Sequence, residues 1–360
     1  MTAPRAALEP AGAPEGLTDN TRHGTSAPEL TVIIVSFNTR ALTLRALETL
    51  RDTTRRTRIR TIVWDNASED GSAEAIALAF PEVTLVSSAE NVGFAMANNH
   101  AAAHVKSEWL LLLNPDTECH EGAVDSLLAF GRAHPEAGIV GGRTVFPDGT
   151  LNIASCWMRI TPWSAFCAAT GLSSTLPRSA LFNPEAMGRW PRDSIREVDV
   201  VGGCFMLMRT ELWRRLGGFD LRYFMYGEEA DLCLRAKAMG YRPMITPDAE
   251  IMHLEGASSP SEARKYQMIA KARMTLIERH WPPLLVPYGR AIMALWALNR
   301  AVLLGTYTRL TGQKRQAARK WAEVWAGRRD WLRGYAPPER REGPNGVALR
   351  TEAHAGHDRV

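Results

Sequence analysis

Short apolar runs alternate with stretches of helical periodicity from Leu30 onward, and this alternation predicts a parallel α/β sheet. Four apolar runs are predicted to be strands, at residues 31–37, 60–64, 83–87 and 109–113. The three intervening stretches are predicted to be helices, at residues 40–51, 72–80 and 94–105. The first half therefore predicts a doubly wound sheet, whose ligands bind beyond the carboxyl ends of the strands.

The second half of the chain is less regular than the first. Residues 150–195 are rich in Trp, Pro and Ser without clear periodicity, which predicts a long loop region. Further strands are predicted at residues 198–208, 241–245 and 250–253, with helices at residues 211–216 and 228–239. From Ser261 the chain is predicted to be helical, with a break at Pro282 and Pro283.

Composition divides the chain into four segments. Residues 1–28 mix Ala, Pro, Gly, Thr and acids without an apolar stretch, which predicts a disordered leader without a secretory signal. An α/β domain at 29–258, a basic helical extension at 259–336 and a disordered tail at 337–360 follow. With 360 residues and 45% hydrophobic side chains, the chain can build one large core and an appendage.

Charge is distributed unevenly along the chain. The formal net charge is only +4, yet residues 264–341 contain 17 Lys and Arg against four acids. This asymmetry indicates a membrane surface, a phosphorylated partner or nucleic acid. No motif for reading nucleic acid accompanies the charge, so nucleic acid is not expected and a membrane surface is favoured.

Residues 284–304 are the predicted membrane contact. Arg290 and Arg300 interrupt this run, so it is expected to lie on a bilayer and not to cross it. The side chains expected to face the acyl chains are Leu284, Leu285, Ile292, Met293, Leu295 and Trp296. Those expected to meet anionic headgroups are Arg290, Arg300 and Arg309. The alternative is that the segment packs on the α/β domain or forms the interface of a homo-oligomer.

The five cysteines indicate the redox environment in which the protein works. They contain no CxxC pair and no zinc-like spacing, and an odd number cannot all pair within the chain. A reducing environment is therefore expected, with the protein in the cytoplasm and peripheral at the inner face of the cell membrane.

Polar side chains follow all four predicted strands of the first half. They are Asn38, Asp65, Asn66, Asn91, Asn114 and Asp116. No Gly-rich loop follows the first strand and no Walker A motif occurs, so dinucleotide binding and NTP hydrolysis are disfavoured. Asp116 is placed to hold a divalent cation, Mg or Mn, against a diphosphate, because these ions prefer oxygen ligands. Taken alone, the residues around Asp116 are also typical of an ordinary turn.

Acidic residues crowd the start of the helix predicted at residues 228–239. Glu228, Glu229 and Asp231 are candidates for a general base, because a carboxylate can take the proton of an acceptor hydroxyl. They also suit a capped helix with an acidic first turn. His253, after the last predicted strand, is a candidate metal ligand, and the alternative is a core or surface histidine.

Together these residues form ordered motifs that resemble family 2 glycosyltransferases, and within them the bacterial rhamnosyltransferase branch. The motifs of the first half are VSFN at 35–38, VWDNASEDGS at 63–72, NVGF at 91–94, the pair Asn98 and Asn99, and LNPDT at 113–117. Those of the second half are GFD at 218–220, FMY at 224–226, EEADLCLR at 228–235, and His253 with Gly256 and Ser258. The resemblance extends from about Leu30 to Arg279.

The resemblance implies a GT-A fold, a nucleotide diphosphate sugar donor, a divalent cation and direct displacement with inversion. It implies that Asp65 contacts the nucleobase, while Asn38, Asn91 and Gly93 surround the nucleoside and phosphates. It also implies that Asp116 and His253 bind the metal. The remaining donor-site candidates are Ser36, Asn66, Asn114, Gly202 and Gly203. The two glycines also suit a strand bulge.

Two positions depart from the usual family pattern. Asn114 stands where many relatives have the first Asp of an Asp-x-Asp metal motif, so the metal is expected to be held more loosely. Glu229 stands where relatives usually have Asp, so the base falls on a side chain that is longer by one methylene.

The expected function is transfer of a sugar, such as rhamnose, from a dTDP, UDP or GDP donor to a cell-envelope glycan or polyprenyl-linked acceptor. One alternative is a catalytically silent peripheral membrane protein that binds nucleotide sugar or acts as a scaffold, an alternative prompted by Asn114 and Glu229. A nucleotidyltransferase ranks third, because the basic Gly-rich loop that it needs is missing after the first strand.

Overall fold

The computed structural model describes residues 27–254 and 261–337, together with the backbone of 341–342 and 348–349. Most of the predicted leader and tail lie outside the described residues, as do Gly256, Ser258 and the expected domain boundary at residue 258. Two short strands of the tail, Arg341–Glu342 and Ala348–Leu349, pair with each other.

Alternating strands and helices make up the described part of the chain. The strands of the α/β domain are β1 (Leu30–Ser36), β2 (Ile59–Asp65), β3 (Thr84–Ser87), β4 (Trp109–Leu113), β5 (Thr117–Cys119), β6 (Ile139–Val145), β7 (Leu151–Asn152), β8 (Cys156–Trp157), β9 (Arg196–Glu197), β10 (Val200–Val201), β11 (Phe205–Arg209) and β12 (Met244–His253). The helices are α1 (Arg40–Thr53), α2 (Ser72–Ala79), α3 (Phe94–Ala102), α4 (Ala123–Ala133), α5 (Pro162–Thr170), α6 (Leu172–Thr175), α7 (Thr210–Leu216), α8 (Glu228–Ala238), α9 (Glu262–His280), α10 (Val286–Thr311), α11 (Arg315–Ala326) and α12 (Arg328–Trp331).

A mixed, mostly parallel central sheet organises these strands in the order β3-β2-β1-β4-β11-β6-β12-β5. The four strands from the first half of the chain run parallel to one another. β1 and β4 are buried along their whole length, as strands covered by helices on both faces must be. These observations confirm the four strands predicted in the first half and the doubly wound character of that half.

The second half departs from the prediction in its strands. The predicted strand at 198–208 is two strands, because β10 pairs with β8 in a separate small sheet while β11 enters the central sheet antiparallel to β4. Conversely, the two strands predicted at 241–245 and 250–253 are one strand, β12, whose pairing with β6 is irregular between Ile245 and Glu250.

Several elements were absent from the prediction. Residues 117–149 contain β5, α4 and β6, and the predicted long loop contains α5 and α6. α5 begins at a capping box, in which Thr161 and Ser164 each bind the other's backbone N–H.

The C-terminal helices α9 to α12 share one hydrophobic core with the α/β domain. Ile160 and Tyr223 of that domain lie in the same buried cluster as Ile277, Trp281 and Trp331 of the extension. The extension therefore packs on the α/β domain through α9 and α10, which contact α8 and α5 respectively. Within the described residues, no helix is both long and apolar enough to cross a membrane.

The prediction of which side chains of α10 face the membrane is wrong in part. Ile292 and Met293 are buried in the shared core, because this face of α10 packs against the domain. Arg300 does not reach outward, since its guanidinium lies over the rings of Trp296 and Trp321 and donates to the carbonyl of Ala168. The exposed apolar side chains of this region are Leu284, Leu285, Tyr288, Val302, Leu303, Tyr307 and Leu310.

Candidate functional site

The carboxyl ends of β1 and β2 lie side by side, because the parallel register pairs Ser36 with Asp65. Asp65 is buried, and its Oδ2 accepts a hydrogen bond of 3.1 Å from the backbone N–H of Ser68. Its Oδ1 is buried without a hydrogen-bond partner. A buried carboxylate oxygen without a donor is costly, so a ligand N–H at this position would be bound favourably.

Ser36 and Asn38 support the loop after β1 in different ways. The Ser36 hydroxyl is fully buried, within 3.0 Å of the Thr43 hydroxyl and 3.1 Å of the Thr39 hydroxyl. It therefore braces the start of α1 and is covered by protein. Asn38 is exposed in left-handed backbone, and its Oδ1 accepts from the N–H of Glu69 at 2.8 Å. This bond joins the loop after β1 to the loop after β2.

The amides of Asn66 and Asn91 fix the loop after β3. Asn66 donates to Asn91 Oδ1 at 2.7 Å and accepts from the N–H of Val92 at 3.0 Å. Asn91 Oδ1 also accepts from the N–H of Gly93 at 3.0 Å. These bonds hold the loop after β3 against the end of β2.

Gly93 allows that loop to touch the segment before α8. A Cβ at Gly93 would lie 2.6 Å from the ring of Phe224 and 2.7 Å from its carbonyl oxygen, and the backbone φ is +82°. The N–H of Phe94 donates to the same carbonyl at 2.9 Å. Only glycine fits both the backbone conformation and the close approach.

Asn114, Asp116 and His253 converge at the end of β4. His253 Nε2 lies 3.3 Å from Asp116 Oδ1 and 3.4 Å from Asn114 Nδ2. Asp116 and His253 are both buried, and Asn114 Oδ1 has no hydrogen-bond partner. Burial by itself lowers the pKa of His253, but the Cys204 sulfur and the Asp116 carboxylate beside the ring outweigh it and raise the pKa to about 11.

This arrangement has the donors for a cation that also binds substrate. Among the described residues, no group of three or more His, Cys, Asp and Glu side chains is placed to hold a metal ion. Asp116 and His253 supply two donors and the unpartnered Asn114 oxygen supplies a third. Such a set fits a divalent ion that takes its remaining ligands from phosphate oxygens and water.

Asn152 positions His253, a role that the sequence pattern did not predict. Its buried Nδ2 donates to the backbone carbonyl of His253 at 3.1 Å, and its Oδ1 accepts from the N–H of Ala154 at 2.8 Å. The two residues are 101 positions apart, and Asn152 lies in the segment predicted to be an irregular loop. No local pattern could have revealed the contact.

Gly202 and Gly203 connect the end of β4 to α8. A Cβ at Gly202 would lie 2.2 Å from the carbonyl oxygen of Ala154, so the backbones approach too closely for any side chain. A Cβ at Gly203 would lie 3.6 Å from Cβ of Glu229. The next residue, Cys204, accepts from the N–H of Asn114 at 3.1 Å through its carbonyl. The backbone of Gly203 and Cys204 thus runs from beside the acidic start of α8 to Asn114.

Glu228 and Glu229 differ in accessibility at the first turn of α8. Glu228 is buried and its Oε2 has no hydrogen-bond partner, whereas Glu229 is partly exposed and accepts from the N–H of Gly227 at 3.0 Å. Burial raises the pKa of both carboxyls, and the charge of Glu229 further raises that of Glu228. Glu228 is therefore the member of the pair that binds its proton more tightly.

Asp231 is held by basic side chains of α8 and of the helical extension. Its Oδ1 lies 3.0 Å from Arg279 Nε and 2.9 Å from His280 Nε2, and its Oδ2 lies 2.7 Å from Arg235 Nε. The carboxylate is fully buried; burial opposes the charge, but the His280 hydrogen bond and the two guanidinium groups lower the pKa below the usual Asp value. Both oxygens are occupied, so Asp231 joins α8 to α9 and is poorly suited to take a proton.

Three comparisons identify proteins similar to this chain. The model of glycosyl transferase family 2 matches residues 31–215. N-acetylglucosaminyl-diphospho-decaprenol L-rhamnosyltransferase of Mycobacterium tuberculosis is 26% identical over 314 residues, which are 83% of this chain and 98% of that protein. Rhamnosyltransferase WbbL of Escherichia coli is 30% identical over 173 residues, which are 45% of this chain and 60% of that protein.

Among solved structures, mannosyltransferase PcManGT from Pyrobaculum calidifontis, in complex with GDP-Man and Mn²⁺, has a similar fold. The TM-score is 0.53 at 20% identity, covering 86% of this chain and 88% of that one. This likeness confirms the GT-A type of fold. Because the family model spans just over half of the 360 residues, including β1 to β4 and the residues at their ends, the chain belongs to glycosyltransferase family 2.

Proposed function

We propose that this glycosyltransferase moves a sugar, with rhamnose as the first candidate, from a nucleotide diphosphate donor to a lipid-linked glycan, with inversion at the anomeric carbon. The observation that carries the proposal is the position of Glu229 beside the backbone of Gly203. The next residue, Cys204, binds Asn114 of the group formed by Asn114, Asp116 and His253. A transferase needs a proton acceptor and a site for the leaving diphosphate close together.

The donor nucleotide is assigned to the ends of β1, β2 and β3. The unpartnered Oδ1 of Asp65 accepts an N–H of the base, and the exposed amide of Asn38 lies at the adjoining loop. Asn66, Asn91 and Gly93 shape the wall of the site through the hydrogen bonds that fix the loop after β3. Ser36 contributes only through its buried hydroxyl cluster.

Asp116 and His253 are assigned to hold a divalent cation, Mg or Mn, with the Asn114 oxygen as a further donor. When bound, such an ion neutralises charge on the leaving diphosphate. The chain's own contribution is to fix the donor atoms: Asn152 holds the backbone of His253, and Cys204 holds that of Asn114. The relative with bound Mn²⁺ supports the assignment, since its fold is similar.

Glu229 is assigned as the general base. In a direct displacement, the acceptor oxygen bonds to the anomeric carbon while the bond from that carbon to the diphosphate oxygen breaks. The acceptor proton passes to the Glu229 carboxylate, and the nucleoside diphosphate leaves. Glu229 is favoured over Glu228 because it is the more exposed of the two, and over Asp231 because that carboxylate is occupied by Arg235, Arg279 and His280.

The acceptor assignment rests on the names of relatives and on the surface of the helical extension. The Mycobacterium tuberculosis relative is named for a diphospho-decaprenol acceptor, and both rhamnosyltransferase relatives are named for rhamnose. Leu303 and Leu310 of α10 are 68% and 81% exposed, beside the exposed Arg309. Apolar side chains beside basic ones suit an anionic membrane surface. A catalytically silent protein is not favoured. Asn114 and Glu229, the two departures from the family pattern, still supply an oxygen ligand for a cation and a carboxylate that can take a proton.

A donor screen tests the proposal. Thermal unfolding of the full chain would be followed with dTDP-, UDP- and GDP-sugars, each with and without Mn²⁺. One donor is expected to stabilise the protein only with the cation, by about 2.7 kcal/mol at 100 times its dissociation constant. Stabilisation by none of the three donor classes would refute nucleotide sugar binding.

A further inference from the structure

A cavity of about 930 Å³ lies between β7 and residues 178–192. We name it the arginine cavity, because its lining includes Arg178, Arg189 and Arg192 and no acidic side chain among the described residues. Leu151 and Ile153 also line it, and the residue between them is Asn152, which holds His253. One short segment therefore borders both this cavity and the candidate metal site.

Arg192 is a buried cation whose charge is not neutralised by an acid. It is fully buried, and its guanidinium donates to the carbonyl oxygens of Ala186, Met187 and Trp190 at 2.8, 3.2 and 2.7 Å. Its Nε has no hydrogen-bond partner, and no carboxylate among the described residues forms an ion pair with it. Carbonyl dipoles orient a cation without cancelling its charge, so an anion in the cavity would be stabilised.

The backbone around the arginines is held in place before any ligand binds. Glu185 accepts two hydrogen bonds from Arg273 of α9, at 2.5 and 2.9 Å. A Cβ at Gly188 would lie 2.0 Å from the carbonyl oxygen of Pro177, so the two sides of the loop are in close backbone contact. A wall fixed in this way loses little entropy on binding.

The rim of the arginine cavity carries apolar side chains beside its two exposed arginines, Arg178 and Arg189. Leu181 is 60% exposed and Ile153 is 46% exposed, and both line the cavity. A site that combines arginines with exposed apolar side chains matches one chemical class, an anionic phosphate group joined to a hydrocarbon chain. Arginine forks bind phosphate oxygens in pairs, while the aliphatic side chains cover the first part of the chain.

We infer that the arginine cavity binds the diphosphate and the first isoprenoid unit of a lipid-linked acceptor. The inference rests on the proposed function, because it supplies that transferase with its acceptor-binding site. It places the acceptor's anionic group beside β7, at residues other than those assigned to the donor.

Calorimetric titration of the full chain tests the inference, with geranyl diphosphate as the probe and no divalent cation present. The test variant combines Arg178→Ala and Arg189→Ala, both exposed residues whose loss leaves the core intact. The control variant combines Arg329→Ala and Arg333→Ala, an equal charge change at exposed positions of the extension. The test variant is expected to bind about tenfold more weakly or worse, and the control variant normally.

Inorganic pyrophosphate and geraniol separate the two halves of the ligand. Geranyl diphosphate is expected to bind more tightly than either, because it engages both the arginines and the apolar rim. Equal binding of pyrophosphate and geranyl diphosphate would refute the lipid part. Equal weakening in both variants, or none in the test variant, would refute the site. None of these measurements needs sugar transfer, so failure of the proposed function would be seen separately, as absence of donor binding.

Discussion

The imidazole Nε2 of His253 lies 3.3 Å from Oδ1 of Asp116, although the two residues are 137 positions apart in the sequence. The pairing of β12 with β5 brings them together, because His253 is in register with Thr117, the residue after Asp116. In the absence of a metal ion, the Cys204 sulfur and the Asp116 carboxylate beside the ring raise the pKa of His253 to about 11, and the proton on His253 balances their charge. A bound cation would take over that balancing charge.

Asp116→Ala is expected to abolish the cation-dependent part of donor binding. Asp116 is the one acidic side chain at the end of β4 that faces His253, so its loss removes an anionic ligand of the proposed cation. The measurement is the dissociation constant of the donor with and without Mn²⁺. Glu118→Ala is the matched control, because Glu118 is on neighbouring β5 but pairs with Arg45. Unchanged cation dependence in the Asp116 variant would contradict the assignment.

Glu229→Gln is expected to lower kcat by about 10²–10⁴-fold while the donor dissociation constant stays nearly unchanged. The physical reason is that the amide keeps the shape of the side chain but cannot accept the acceptor proton. Steady-state kinetics and a donor titration on the same preparation measure both quantities. Glu228→Gln is the control, and an inactive Glu228 variant beside an active Glu229 variant would move the base to Glu228.

As the pH is lowered, the rate of transfer is expected to fall at a higher pH than it would if the base were a glutamate with an ordinary pKa. Burial raises the pKa of Glu229, and a base acts only when ionised, so turnover is present above that raised pKa and is lost as the pH falls through it. Glu228 binds its proton more tightly than Glu229, so it is already neutral in the pH range in which Glu229 titrates. Glu228→Gln should therefore leave the acid limb in place, and a limb that moves to lower pH would contradict this order of titration.

Asp231→Asn is expected to destabilise the fold by about 3–5 kcal/mol, because it leaves Arg235, Arg279 and His280 without their buried anion. Urea unfolding measures the change, with Glu323→Gln as a control that removes an exposed pair worth about 0–1 kcal/mol. Since the pKa of Asp231 is lowered, its stabilisation is present above the usual 3.8 and decreases as the pH falls below it. A stable but inactive variant would instead support a catalytic role for Asp231.

Replacing Leu303 and Leu310 by Glu is expected to release the protein from vesicles that contain anionic lipid. Both side chains are exposed on α10, so the change should leave the fold intact. Co-sedimentation of the full chain at low and high salt measures binding. Ile292 and Met293 are unsuitable for this test, because they lie in the core that α10 shares with the α/β domain. Binding that ignores anionic lipid content or survives the double substitution would refute a membrane role for this face.

The ends of the parallel strands could be predicted from the sequence because their physical signal is local. β1 and β4 are buried on both faces, so each is a continuous apolar run that ends where polar side chains begin. Asp65 ends β2, while Asn91 and Asp116 follow β3 and β4 within a few residues, and their place at one edge of the sheet needs only that the strands be parallel. Gly93 was named through the family resemblance, and the contact with Phe224 explains why glycine is needed there.

The features that were missed or wrong depend on contacts between distant segments. Asn152 holds His253, and Arg279 and His280 hold Asp231, across 101, 48 and 49 positions respectively. The apolar side chains of α10 occur on more than one face, so the sequence could not tell which face packs on the domain. The break between β10 and β11 arises from the close approach of Gly202 to Ala154, which only the tertiary structure reveals.

The most direct test of the account is transfer itself, measured by mass spectrometry of a synthetic acceptor. Full-length protein, dTDP-rhamnose, Mn²⁺ and a short-chain prenyl diphosphate carrying N-acetylglucosamine would be incubated together. The account predicts an acceptor product heavier by one deoxyhexose, formed by the unaltered chain and by Glu118→Ala but not by Asp116→Ala, and much more slowly by Glu229→Gln. Two results would contradict the account. One is donor binding without any product from dTDP-, UDP- or GDP-sugars. The other is as much product from the Asp116 and Glu229 variants as from the unaltered chain.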